Sequence, residues 1–169
     1  MNRMLRLLKH RWHDEGDARR ALDDAALKRL ETRVRQSEAV HSGEIRLVVE
    51  PGLPWSYLWK GLSARDRAVT LFGKLRVWDT EHNNGVLIYL LLADRAIEIV
   101  ADRGLNGQVP PDEWRHLAAQ MKGDFQAGRF ETGLLAAVDR VDALLRQHFP
   151  LAGGERNPNE LPDQPVVIG

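Results

Sequence analysis

The sequence contains no cysteine. That excludes disulfides, thiolate zinc sites and cysteine nucleophiles. Charge of one sign is missing too, since 24 Lys and Arg balance 24 Asp and Glu. A dedicated nucleic-acid binder carries a basic excess, so no nucleic-acid partner is expected. Long apolar runs are absent. Gly85 to Ala93 is apolar, but it reaches only about half of the roughly 20 residues that cross a bilayer. The first residues hold no uninterrupted signal-peptide core and no small-residue cleavage site. These absences predict a cytoplasmic protein. Catalytic fingerprints are also scarce. Gly104-Leu105-Asn106-Gly107 follows a strand-like run, yet it lacks the dinucleotide fingerprint and the Gly-Lys-Ser/Thr of a phosphate loop. No Gly-x-Ser-x-Gly elbow occurs.

What is present is enough for one core. Hydrophobic residues make up 43% of 169 residues, which suits a single domain with loosely attached ends. The chain divides into a basic arm over 1–16, an α/β domain over 17–150 and a Pro/Gly-rich tail over 151–169. In the arm, Met1, Met4, Leu5 and Leu8 share one helical face, flanked by Arg3, Arg6, Lys9 and Arg11. Two readings stand for such a helix: docking on its own domain, or peripheral contact with an anionic membrane.

From Leu22 to Val40 the pattern predicts a helix. Asp23 can cap it, with Leu22 stapled onto Leu27. Glu44 to Glu50 alternates around Ile45, Leu47 and Val49, as a strand does. Pro51, Gly52 and Pro54 end it, and Trp55, Tyr57, Leu58 and Trp59 fall in a linker. Ser63 and Asp66 form a capping-box pattern for the next helix. Val86 to Leu92 and Ala96 to Ala101 read as an antiparallel hairpin about Ala93-Asp94. Pro111 suits a first helical position. Gly128 punctuates, and a longer helix runs to Pro150. Val166 to Ile168 fits either an added edge strand or a disordered end.

The order helix, strand, helix, strand, strand, helix, helix predicts a three-layer α/β/α sandwich on a small mixed β-sheet. The strand–helix–strand unit should be a right-handed parallel crossover. That topology brings both loops flanking the hairpin to one end of the sheet. His41, Ser42, Glu44, Asp79, Glu81, His82, Asn83, Asn84, Asp102, Asn106 and Asp112 can then converge. Oxygen-rich convergence suits Ca²⁺ or Mg²⁺. A histidine among carboxylates also suits a transition metal or acid–base work. Asp79-Thr80-Glu81-His82-Asn83 imitates the opening of an EF-hand loop. It fails the full pattern, because Gly85 is one place late and Leu90 stands where the bidentate Glu belongs.

Several pieces together resemble the TPM domain family, which is often labelled as phosphatases. They are HSGEIRLVVE, EHNNGVLIYLLL, RAIEIVADRGLNGQV and FQAGRFETGLLAAVDRV, in that order between about Asp23 and Phe149. Family members show an Asn-Asp-Asn-Gly-Val-Leu-like lead into the strand, where this chain has His82-Asn83-Asn84-Gly85-Val86-Leu87. They show a Gly-x-Gly-Leu-Glu-Gly loop with a following Asp, where this chain has Asp102-Arg103-Gly104-Leu105-Asn106-Gly107. The resemblance implies a divalent metal at this place, for which the converging loops offer Asp79, Glu81, His82, Asn84, Asp102 and Asp112. It also implies metal-dependent phosphatase chemistry.

Three acidic family positions are changed, to Asn83, Asn106 and Pro111. Fewer carboxylates mean weaker Ca²⁺ or Mg²⁺ binding. Other members are mostly exported or membrane-anchored, and this chain resembles a short branch without that signal. The expectation is an accessory or interaction module with a protein partner, supporting a membrane-associated assembly. The alternative is a weak divalent-metal-dependent phosphatase.

Overall fold

The structure, a computed structural model, describes residues 9–10 and 15–169. The amphipathic helix expected over Met1 to Trp12 falls mostly outside the described residues. Helices α1 (Glu15–Ala21) and α2 (Asp24–Glu38) come first. Asp23 caps α2 by accepting from the Ala26 N–H at 2.7 Å. Leu22, Ala26, Leu30 and Val34 are buried along one face, which is the stripe the helical spacing predicts.

Strand β1 (Glu44–Glu50) follows, then helix α3 (Trp55–Lys60). The sequence placed a linker there. A helical turn forms because Pro54 starts it and Gly61, in the left-handed region at φ 70°, closes it. Leu58 is buried beneath it. Helix α4 (Ala64–Lys74) carries the expected capping box between Ser63 and Asp66.

Strands β2 (Gly85–Leu91) and β3 (Ala96–Ala101) form the hairpin. The segment at Gly104, expected as a loop, is one helical turn, α5 (Arg103–Asn106), capped by Asp102. Helices α6 (Pro111–Gln126) and α7 (Phe130–His148) complete the domain. The tail ends in β4 (Val166–Val167).

The sheet order is β3-β2-β1-β4. β1 and β2 are parallel, with Glu44 opposite Gly85 and Glu50 opposite Leu91. β2 and β3 are antiparallel, with Val86 opposite Ala101. β4 adds parallel to the outer edge of β1 at Val48 and Val49. Every residue of β2 is buried, because helices cover both faces of this central strand.

Two cores result. One joins Ile45, Leu47, Val86 and Ile88 to the apolar faces of α2, α6 and α7. The other joins Val48, Leu87 and Tyr89 to α3, α4 and Leu161 of the tail. The architecture is therefore the three-layer α/β/α sandwich on a mixed sheet.

Candidate functional site

The loops flanking the hairpin do meet. Asn83 adopts the left-handed region at φ 51°, a conformation Asn tolerates better than most residues. This turns the chain into β2 and exposes its carbonyl to α5. The Gly104 N–H donates to Asn83 O at 2.9 Å, and Arg103 Nε donates to Asn83 Oδ1 at 2.9 Å. Gly104 is required by this approach. A Cβ there would lie 2.5 Å from Asn83 O and 2.6 Å from His82 O.

Asn84 is fully buried. Its backbone N–H donates to Thr80 Oγ1 at 3.1 Å, and its side-chain amide donates to Ser42 Oγ at 3.2 Å. Asn84 Oδ1 is buried with no hydrogen-bond partner among the described residues. Asp102 Oδ1 accepts from the Arg103 N–H at 2.7 Å, while Asp102 Oδ2 is buried without a partner among the described residues. Ser42, Asn83, Asn84 and Asp102 thus cluster about the ends of β1, β2 and β3.

The other candidates lie apart from them. Asp79 is exposed and sits 3.9 Å from Arg76. Glu81 is exposed, and its backbone N–H donates to the Glu160 carboxylate at 3.0 Å. His82 and Asn106 are exposed. Asp112 is exposed and pairs with Arg115 one helical turn on. Among the described residues no three His, Cys, Asp or Glu side chains gather closely enough to hold a metal ion.

Glu44 turns elsewhere. Its Oε2 accepts from the Leu161 N–H at 3.0 Å. Burial pushes its carboxyl up to about 7. Neighbouring Glu38, whose Oε1 accepts from the Ile45 N–H at 2.8 Å, is pushed up to about 9 by burial and then by Glu44.

His41 enters a buried knot that the sequence reading missed. Ser37 Oγ donates to Asp142 Oδ1 at 2.7 Å and lies 2.7 Å from His41 Nε2. The residue types match a Ser-His-Asp triad, but the roles do not. The hydroxyl proton goes to Asp142, not to the imidazole, and Ser37 and His41 are fully buried. A nucleophile needs its base on its own hydroxyl and access to substrate.

Burial drives the His41 imidazole down to about 4, against the pull of Asp142. Burial also pushes Asp142 up, but hydrogen bonds from Arg146, Ser37 and Arg33 outweigh it and hold its carboxyl below the usual range. The knot ties α2 to α7. Residues 105 apart in the chain make it, so no local spacing could have announced it.

Residues 16–144 match the TPM domain. The chain belongs to the TPM domain family. It is similar in structure to the BA42 protein from the psychrophilic bacterium Bizionia argentinensis, with a TM-score of 0.74 and 28% identity. That likeness covers 87% of this chain and 95% of the other. It also shares its fold with the N-terminal domain of a protein from P. gingivalis, at a TM-score of 0.63 and 22% identity. There the likeness covers 78% of this chain and 82% of the other. None of the curated proteins matches this sequence. No helix among the described residues is long and apolar enough to cross a membrane.

Proposed function

We propose that this TPM-domain chain is an accessory or interaction module that supports a membrane-associated assembly from the cytoplasmic side. One observation carries the reading: three of the four candidate carboxylates at the loop end face groups of the chain itself, Asp102 through one of its oxygens. Asp102 caps α5, Asp112 pairs with Arg115 and Asp79 lies beside Arg76. Metal-assisted phosphate hydrolysis needs an ion held firmly enough to polarise oxygen or activate water. Its basic arm supplies the membrane contact, through the cations Arg3, Arg6 and Arg11, while Lys9 pairs with Asp94 of the domain at 3.2 Å.

A second reading has its own observation. Asn84 Oδ1 and Asp102 Oδ2 are buried oxygens with no partner among the described residues, and both belong to the ends of adjacent strands. They suit a hard cation, but Ca²⁺ takes six to eight oxygens. Such a site would be weak, and a phosphatase built on it slow.

Two measurements separate the readings. Hydrolysis of an aryl phosphate is followed with Mg²⁺, Mn²⁺ or Ca²⁺, and vesicle co-sedimentation compares the full chain with one lacking the arm. Near-background hydrolysis with arm-dependent binding to anionic vesicles is expected. Robust metal-dependent turnover would overturn the module reading.

A further inference from the structure

β3 is the terminal strand of the sheet, and no strand among the described residues pairs with its outer edge. The Asp102 N–H donates across to Gly85 O at 2.9 Å. Bonded and non-bonded pairs alternate along an antiparallel ladder. Ala101 opposite Val86, Ile99 opposite Ile88 and Ile97 opposite Leu90 are therefore the non-bonded positions. Their N–H and C=O groups point away from β2. The Arg65 guanidinium agrees with this register, because its Nη1 donates to Ile99 O at 2.5 Å from outside the sheet.

This edge lies in a groove of about 660 Å³ between α4 and α6. Ile97, Ile99 and Ala101 line it, with Arg65 on one side and Trp114 and Arg115 on the other. Trp114 is only 5% exposed, and its indole N–H is buried without an acceptor among the described residues. Buried donors are rarely left so. An open edge normally carries protection such as proline, a bulge or several charges. β3 has Glu98 alone.

We infer that this groove binds an extended, carboxylate-bearing segment of a partner protein, which adds to β3 as a further strand. The segment's backbone pairs with Ile97, Ile99 and Ala101, as in strand addition to other sheets. A backbone carbonyl of the segment is also the kind of acceptor the Trp114 N–H lacks. Ligand N–H groups replace Arg65 at Ile99 O, and a ligand carboxylate competes with Glu98 for that guanidinium and with Asp112 for Arg115. The inference rests on the interaction-module reading and names where the partner sits.

The test uses the full chain labelled with ¹⁵N. Blocked hexapeptides alternating valine and glutamate are titrated in, beside valine–lysine peptides and a valine–glutamate peptide interrupted by proline. The glutamate peptide should saturate with a Kd below about 1 mM. It should shift the amides of Ile97, Ile99 and Ala101 and the Trp114 indole. The lysine and proline peptides should bind at least about tenfold more weakly, a step of about 1.4 kcal/mol.

Ala101→Pro should abolish binding while keeping the fold, because its N–H faces away from the sheet and its small side chain is only partly buried. Trp114→Phe, which keeps the ring and removes the donor, should weaken binding about fivefold, as one hydrogen bond would. No shift at these amides with any peptide would overturn the inference. So would equal binding of the lysine peptide, or protection of the edge that grows with protein concentration alone. Shifts elsewhere on the surface would overturn the groove but leave the module reading intact. Aryl-phosphate turnover would sink the module reading whatever the peptides do.

Discussion

Arg67 and Glu50 form a two-pronged ion pair under α4, with Arg67 Nη2 2.6 Å from Glu50 Oε1 and Nε 2.9 Å from Oε2. Tyr89 OH adds a third donor to Oε2 at 2.7 Å. Burial and then the Glu50 charge raise the Tyr89 phenol well above its usual range, so it stays a donor. The Glu50 side chain is only 3% exposed. Arg67→Ala should therefore leave a buried carboxylate without its cation and cost about 3–5 kcal/mol. Urea denaturation of the variant checks this. A loss within about 1 kcal/mol would show that the pair is solvated in solution.

Stability should fall as pH rises, because the buried acids Glu38 and Glu44 are neutral in the fold. Their folded values, about 9 and about 7, lie above the model-compound value of 4.5. A raised acid contributes stability that is fully present below its unfolded value and is lost as pH rises through the folded one. His41, held down to about 4 from 6.5, works the other way, adding stability as pH climbs between those values. Above about 7, Glu38 is the one of these three still titrating. Denaturation midpoints from about pH 7 to about pH 9 should decline, and Glu38→Gln should flatten that decline. An unchanged slope in the variant would refute the assignment.

Gly104→Ala should separate the two loops. Its Cβ would press on the carbonyls of Asn83 and His82, which are backbone and cannot swing aside. Amide shifts at Asn83, Asn84 and Asp102 should move together, with a stability loss of about 1–3 kcal/mol. Shifts confined to residues next to Gly104 in sequence would mean the loops do not rest on each other.

Divalent-cation binding at the loop end should be weak. The buried donors left over among the described residues there are Asn84 Oδ1 and Asp102 Oδ2, far fewer than the six to eight oxygens Ca²⁺ prefers. Calorimetry should show no Ca²⁺ affinity tighter than about 0.1 mM, the weak end of protein calcium sites. Sub-micromolar binding abolished by Asp102→Ala would reverse this expectation.

Removing residues 157–169 should destabilise the domain. Leu161 is buried, and Asn157 donates to the carbonyls of His41 and Gly43 at 3.0 and 3.1 Å. Arg46 holds the carbonyls of Pro162 and Gln164, and the Ile168 N–H donates to Val49 O at 2.9 Å. Losing one buried leucine alone costs about 2–5 kcal/mol. A truncated chain that melts at the same temperature would show the tail to be a passive cover.

The order of the long elements α2, β1, α4, β2, β3, α6 and α7 and the strand directions were legible in the sequence, because they depend on neighbours a few residues apart. The helix between β1 and β2 demands a parallel crossover, and the tight turn after β2 demands an antiparallel return. Asp23 and Ser63 announced their helices by side-chain hydrogen bonds within one turn. The same topology foretold that Asn83 and Gly104 would share one end of the sheet.

What only the tertiary structure decided is which charged and polar groups meet. Arg103 reaches Asn83 across 20 residues, and Ser37 reaches Asp142 across 105. Glu44, a candidate ligand by position, turns to the tail because Leu161 packs beside it. The open edge of β3 exists because the tail adds to β1 and not to β3. Local propensity acts over one turn or one hairpin. Side-chain partners, burial and the protonation that follows from burial depend on how whole layers pack.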